Sequence, residues 1–318
     1  VIAIVAIAAW YFLSNTVNKK AEEYLEQYLI ENNLQDRLKW ESLEASPTGS
    51  ANLKNVTFLD EKGELFLTAE ELNLLHFKQD ENVLETKAEI KGLVDVQGIA
   101  LQDALDQLYE QVGIPAAQSI DVAWEIMLDN TQQTSYMKSD VLLPNLFIVQ
   151  SEVNADSPEQ IRALSKMSNN SSFNEADELS EEDMATLMAL MSDVKIHGVA
   201  IGVVEKGGIE KLRYDIVASE LSDDAENLSP EQLQSEFEQA IADARTTCLN
   251  EPQLATVLTN QESACNKTMD FLLGSSEALK VNIATAKPFS LDEIIMMTMM
   301  GAGPEIYVDE FGLSIDVE

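Results

Sequence analysis

Few residue types in this chain could do chemistry, and their spacing limits what they do. There are two histidines and two cysteines. His76 and His197 each sit in an alternating, strand-like stretch. Neither lies beside a nucleophile motif such as G-x-S-x-G, so a structural role is expected for both. Cys248 and Cys265 lie in one predicted helical region and could close a helix hairpin as a disulfide, which fits an oxidising compartment. Two buried free thiols are the alternative. Met184, Met188 and Met191 form one cluster, and Met296, Met297, Met299 and Met300 form another. Thioethers can hold Cu(I), but only His197 is near either group as a second soft ligand. Both clusters are therefore read as packing residues. The second, beside Gly301 and Gly303, makes an adaptable apolar surface for a lipid or partner.

The acidic group Asp177, Glu178, Glu181, Glu182 and Asp183 lacks the spacing of a calcium loop and reads as a solvated segment. Gly207-Gly208 is not followed by the Lys-Ser/Thr of a phosphate loop. Carboxylates are too plentiful here to single out a glycosidase pair. No nucleophile–base pair, cofactor motif or metal set emerges, so the chain reads as a non-enzyme that needs no cofactor.

Charge excludes more. Lys+Arg number 20 and Asp+Glu 56 in 318 residues, a net charge of −36. Phosphate-backbone binding needs a cationic surface, so nucleic acid is excluded as a partner. Apolar residues at 45% suffice for a core, which separates this chain from disordered acidic tails. Acidity of this degree also predicts solubility in high salt, where screening relieves self-repulsion, and hence a marine or halophilic source.

The elements that must position these residues begin with an apolar run, Val1–Leu13. It is shorter than the roughly 20 residues of a full span. The chain does not begin with Met, so the run is expected to continue upstream as a single-pass anchor over 1–17. Trp10, Tyr11 and Phe12 would then mark the membrane interface. A buried core helix and a pilin-like N-terminal helix are the alternatives. Residues 18–34 read as an amphipathic helix with Ala21, Tyr24, Leu25, Tyr28 and Leu29 on one face. It is either a stalk or a first helix packed on the core.

Residues 38–100 read as β, with a hairpin turn at Asp60–Gly63. A short helix follows at Leu101–Val112. Ile120, Val122, Trp124, Ile126 and Leu128 then alternate strictly, the clearest strand in the chain. The apolar side of this strand, Ile120, Val122, Trp124 and Ile126, is a candidate lipid or partner contact unless helices cover it as core. Strands over Tyr136–Leu143 and Leu146–Val153 are separated by Pro144.

Ser157-Pro158-Glu159-Gln160 and Ser229-Pro230-Glu231-Gln232 both read as capping boxes with Pro at the first helical position. Ser290-Leu291-Asp292-Glu293 reads as a third. Each follows strands, with a hairpin predicted over Val194–Val204 and Ile209–Ala218, so a strand–strand–helix unit is a candidate repeat.

The stretch Trp40, Ser50, Leu53, Asn55-Val56, Phe58, Asp60, Gly63, Ala69, Leu72 and Leu74 resembles the opening unit of AsmA-like proteins. Gly303 to Ile315 is similar to strands of the related YdgA-like bacterial envelope proteins. The resemblance rests on residues 38–77 and 303–317. It implies an inner-membrane-anchored periplasmic protein with a curved antiparallel sheet, and it supplies no catalytic residues.

The fold expected is therefore of the α+β class, a membrane helix and stalk followed by a curved antiparallel sheet with helices on one side. Its regions are an anchor (1–17), a stalk (18–34), an AsmA-like β unit with a short helix (35–112) and an α+β periplasmic region (113–318) with a helical segment at 229–272. The function expected is lipid binding or envelope homeostasis on the periplasmic side of a bacterial inner membrane. The alternative is an accessory subunit of a membrane complex. Membrane lipids are the expected partners, with other inner-membrane or periplasmic proteins next.

Overall fold

The computed structural model describes residues 26, 29–30, 35–45, 50–60, 62–96, 105–107, 109–110, 117–167, 181–210, 229–290, 292–293 and 311–318. Among these residues strand outweighs helix, 48% against 32%. The strands are β1 (Leu38–Lys39), β2 (Ser42–Ala45), β3 (Ala51–Leu59), β4 (Leu65–Gln79), β5 (Val83–Asp95), β6 (Ile120–Asp129), β7 (Thr134–Leu143), β8 (Phe147–Ala155), β9 (Lys195–Glu205), β10 (Ala278–Ser290) and β11 (Leu313–Val317). They form one antiparallel sheet in the order β1-β3-β4-β5-β6-β7-β8-β9-β10-β11, with β2 also on β3. The two edges do not meet, so the sheet is open.

This corrects the expected α+β class with repeated units. Helices α1 (Pro158–Met167) and α2 (Glu181–Asp193) lie between β8 and β9 in the chain. Helices α3 (Pro230–Asn250), α4 (Leu254–Val257) and α5 (Gln261–Leu272) lie between β9 and β10. They are excursions between strands that neighbour each other in a single sheet. The predicted second hairpin fails for a nonlocal reason. The N–H groups of Lys206 and Gly208 donate to the Leu146 carbonyl in the β7–β8 turn, and residues 208–210 form a helical turn. Strand β9 pairs instead with β8 and β10.

The expected single-pass transmembrane element is likewise corrected. Among the described residues no helix is long and apolar enough to cross a membrane. The longest, α3, has 21 residues but carries Glu231, Glu236, Glu238, Asp243 and Arg245, and charge is costly in hydrocarbon. Val1–Leu13, with Trp10, Tyr11 and Phe12, lies outside the described residues. Leu29, from the expected stalk, is buried in the main core.

Local chemistry explains the hairpins. Asp60, Asp80 and Asp129 each stand at a strand end. Each accepts two backbone N–H bonds through its Oδ1 from the turn that follows, an Asx turn. Gly63 completes the first turn at φ +78°, where a Cβ would be strained.

Alternation gives the sheet two unlike faces. One face carries apolar rows that cross many strands. The pairings align Leu53, Leu72, Ile90, Val122, Val141, Val149, Val203 and Leu279. The next row aligns Ala51, Leu74, Ala88, Trp124, Ser139, Ser151, Ile201, Val281 and Val317. The opposite face is charged. Lys87, Glu125, Lys138 and Glu152 stand side by side, alternating in sign as favourable cross-strand pairs do. Lys87 lies 3.7 Å from Glu125, and Lys280 lies 3.0 Å from Glu152.

Candidate functional site

Coverage of the apolar face changes along the sheet. Over β3–β6 it is core: Leu53, Leu72, Ala88, Ile90, Ile120, Val122 and Trp124 are buried with Leu29, Leu105 and Tyr109. The Tyr109 hydroxyl donates to the Pro144 carbonyl at 2.8 Å, and burial pushes its pKa up. Three of the four strand residues nominated as contacts, Ile120, Val122 and Trp124, are thus closed in. Ile126 is partly buried against the same cluster.

Beyond β6 the same rows come into the open. Val141 and Val149 are partly buried against that core, Val203 and Val281 are partly exposed, and Ile201 is 47% exposed. Helix α1 covers the strand ends next to this opening. Its Ile161 and Leu164 pack with Val153, Ala155, Ile196 and Val199. Pro158, at its start, is fully buried. The opening centres on β9 and β10, and the hydrogen-bonded hydroxyls of Ser139 and Ser151 (2.7 Å) stand in the row between Trp124 and Ile201.

The apolar face also carries polar atoms without partners. The Thr86 hydroxyl, the Ser135 hydroxyl and the Trp124 indole N–H are buried and unbonded. A buried polar group left unpaired costs about 1–3 kcal/mol, so such groups call for an explanation. Sequence inspection missed Ile201, Ser135 and Thr86. No local signal marks them, because each follows the same alternation as its core neighbours.

The other nominated residues fall as follows. Cys248 and Cys265 are joined by a disulfide, with Cα atoms 5.9 Å apart. It ties α3 to α5, beside a small core of Phe237, Ile241 and Met269 and an Arg245–Asp270 ion pair of 2.9 Å. Met296, Met297, Met299 and Met300 lie outside the described residues. Met188 is exposed on α2. Among the described residues no group of three or more His, Cys, Asp or Glu is arranged to hold a metal.

His197 and Ser157 both approach Asp156. The imidazole Nε2 is 3.4 Å from its carboxylate, and the Ser157 hydroxyl donates to it at 3.0 Å. In a nucleophilic triad the histidine stands between serine and acid. Here the aspartate stands between, so the imidazole has no serine proton to take. Ser157 has φ +60°; its carbonyl accepts from the Gln160 and Ile161 N–H groups at the start of α1, but its hydroxyl donates to Asp156 and the Asp193 carbonyl and does not form the capping box its sequence suggests. Ser229 does form the full capping box. His76 pairs with Glu85 at 3.4 Å.

Two clefts, of about 390 and 380 Å³, lie toward the β1–β2 end of the sheet. The first is bordered by Asn52 and Asn73, whose side chains bond each other, and Asn73 also donates to Glu71 and Glu89. Nearby, a hydrogen bond from Lys91 to Glu89 holds the lysine pKa above its usual value. The geometry there is that of a polar network, in which the Asn52 Oδ1 is buried without a partner.

No family model matches this sequence, and no curated protein matches it. The AsmA-like resemblance therefore stands on the residues quoted for it.

Proposed function

We propose that this protein is a non-catalytic acyl-lipid-binding protein of the bacterial periplasm, acting in envelope homeostasis. The reading is carried by one observation: a largely apolar sheet face that is core around Trp124 and open at Ile201. An open apolar patch suits an amphiphile, because its chains bury against Val and Ile. The disulfide between Cys248 and Cys265 supports an oxidising compartment. The AsmA-like resemblance supports the same placement.

Native mass spectrometry of the full-length protein, gently released from its own cells, tests this. Mass increments of acyl lipids, lost in an Ile201→Asp variant of unchanged fold, are expected. A bound polypeptide in place of lipid would overturn the proposal in favour of an accessory subunit. A bare chain at every energy would overturn it as well.

A further inference from the structure

The outer edge of β11 is occupied by the chain itself. Lys280 and Glu318 exchange both of their backbone hydrogen bonds, at 2.9 and 2.8 Å. Such pairs alternate along an antiparallel ladder. Asn282–Asp316 and Ala284–Ser314 are therefore the other bonded pairs of the β10–β11 register. Leu313, Ile315 and Val317 turn their N–H and C=O groups away from β10. A row of that kind is a template for another strand. Here two of its acceptors are taken. The Thr259 N–H donates to the Ile315 carbonyl at 2.8 Å, beside a parallel bridge from Leu258 to Ile315. The Lys267 ammonium donates to the Val317 carbonyl at 2.8 Å.

Both donors belong to the disulfide-bridged unit. Thr259 lies inside the loop that the Cys248–Cys265 bond closes, and Lys267 follows shortly after Cys265. Helix α4, which brings Leu258 and Thr259 to the edge, has little of its own to hold it. It is four residues long, buries none of them and has no side-chain cap at its start. Its position is set by loop closure. The disulfide supplies one closure, and the Gln261 side chain supplies another by donating to the Cys248 and Glu251 carbonyls at 2.7 and 2.9 Å. The core of Phe237, Ile241 and Met269 includes no α4 residue. Cys265 is buried, but Cys248 is only partly so, which leaves its sulfur open to a thiolate.

The edge of β11 fits a second copy of itself. Two β11 strands crossing antiparallel at Ile315 set Leu313 opposite Val317 and Ser314 opposite Asp316. No acid then faces an acid. The same register apposes the outward N–H and C=O groups of Leu313, Ile315 and Val317 in both strands. These three side chains share a face with Val281 and Ile283, so the apolar face of one sheet runs on into that of the other. Such a contact is two-fold symmetric and closes after two chains.

We infer that the Cys248–Cys265 disulfide is a redox latch that keeps the β11 edge from pairing with a second copy of this chain. The trigger is a dithiol reductant. Its thiolate attacks the Cys248 sulfur and Cys265 leaves; its second thiol then displaces Cys248. The reductant departs as a disulfide, and its two protons end on the cysteine thiols. With the loop open, Leu258 and Thr259 leave the edge, and the partner's β11 adds to it as a strand. The latch does not depend on the lipid-binding reading.

Sedimentation velocity of the full-length protein, with and without dithiothreitol, tests this in high salt, where the net charge of −36 is screened. The dimer dissociation constant should fall at least about tenfold on reduction, because the pairing-competent form becomes more populated. Cys248→Ser with Cys265→Ala should give the same dimer without reductant. Ile315→Pro should abolish the dimer with little change in melting temperature, since this N–H points away from β10 and proline is tolerated at such an edge. In the variant lacking both cysteines, Ile315→Cys should crosslink the dimer under mild oxidation, because directly opposed bonded residues bring their Cα atoms to about 5.5 Å. A reduced protein that stays monomeric would overturn the latch. So would equal dimerisation of the oxidised and reduced forms, or a dimer that survives Ile315→Pro and escapes the crosslink, since the interface would then lie elsewhere. Loss of the sheet's circular-dichroism signal on reduction would assign the disulfide to folding of the whole chain and overturn the inference as well.

Discussion

Trp124 and Ile201 stand in one cross-strand row, three strands apart, linked through Ser139 and Ser151. Trp124 is 7% exposed and Ile201 47%. Side chains of similar character in the same row thus have different work, one in the core and one at an open surface.

That contrast separates two substitutions. Trp124→Ala empties a packed site and should cost about 3–5 kcal/mol in chemical denaturation. Ile201→Asp places a charge where water already reaches and should change stability by about 0.5 kcal/mol or less. It should nevertheless abolish retention of acyl lipid, read by native mass spectrometry. Equal stability losses would show that the strip at Ile201 is closed.

The Cys248–Cys265 bond closes a 17-residue separation. A loop of that size is worth about 3 kcal/mol in the chain-entropy account. Cys248→Ser with Cys265→Ala, or reduction with dithiothreitol, should lower the stability of the α3–α5 unit by about that much. Hydrogen exchange should show it as lost protection around Phe237 and Met269, with β3–β6 unaffected.

Acid should weaken the turn that follows β10. The Ser290 hydroxyl, donating to Asp292, holds that carboxyl below its ordinary 3.8. The Ser290 backbone N–H, and then its hydroxyl, hold Glu293 below its ordinary 4.5. A carboxylate whose pKa is depressed by folding adds stability above its unfolded value and loses it as pH falls through the folded one. The contribution should therefore be complete above pH 4.5 and fade below 3.8. Ser290→Ala should flatten this part of the melting-temperature profile between about pH 5 and 3; an unchanged profile would remove the hydroxyl as the cause.

Salt should stabilise the chain. With a net charge of −36, self-repulsion opposes compaction, and raising NaCl to about 1 M shortens the screening length to about 3 Å. The melting temperature should rise across that series. A fall would contradict both the repulsion argument and the halophilic reading.

What could be read directly was local. The alternation from Ile120 to Leu128 dictates β6, because a period of two can only place every second residue on one face. Asp60, Asp129 and the Ser229 capping box announce their turns and helix start through bonds spanning two to four residues. The count of 56 acids against 20 bases gives the net charge without any fold. Tertiary structure alone decided the rest. Residues 205–208 look like a hairpin turn but bond to Leu146, and β9 pairs with strands on either side of it that are reached through long helical excursions. Trp124 and Ile201 obey the same alternation, yet only the arrangement of Leu29, Tyr109 and α1 over the sheet determines which is covered. Periodicity encodes which face a side chain joins. What covers that face depends on contacts between distant segments, whose closure no local pattern records.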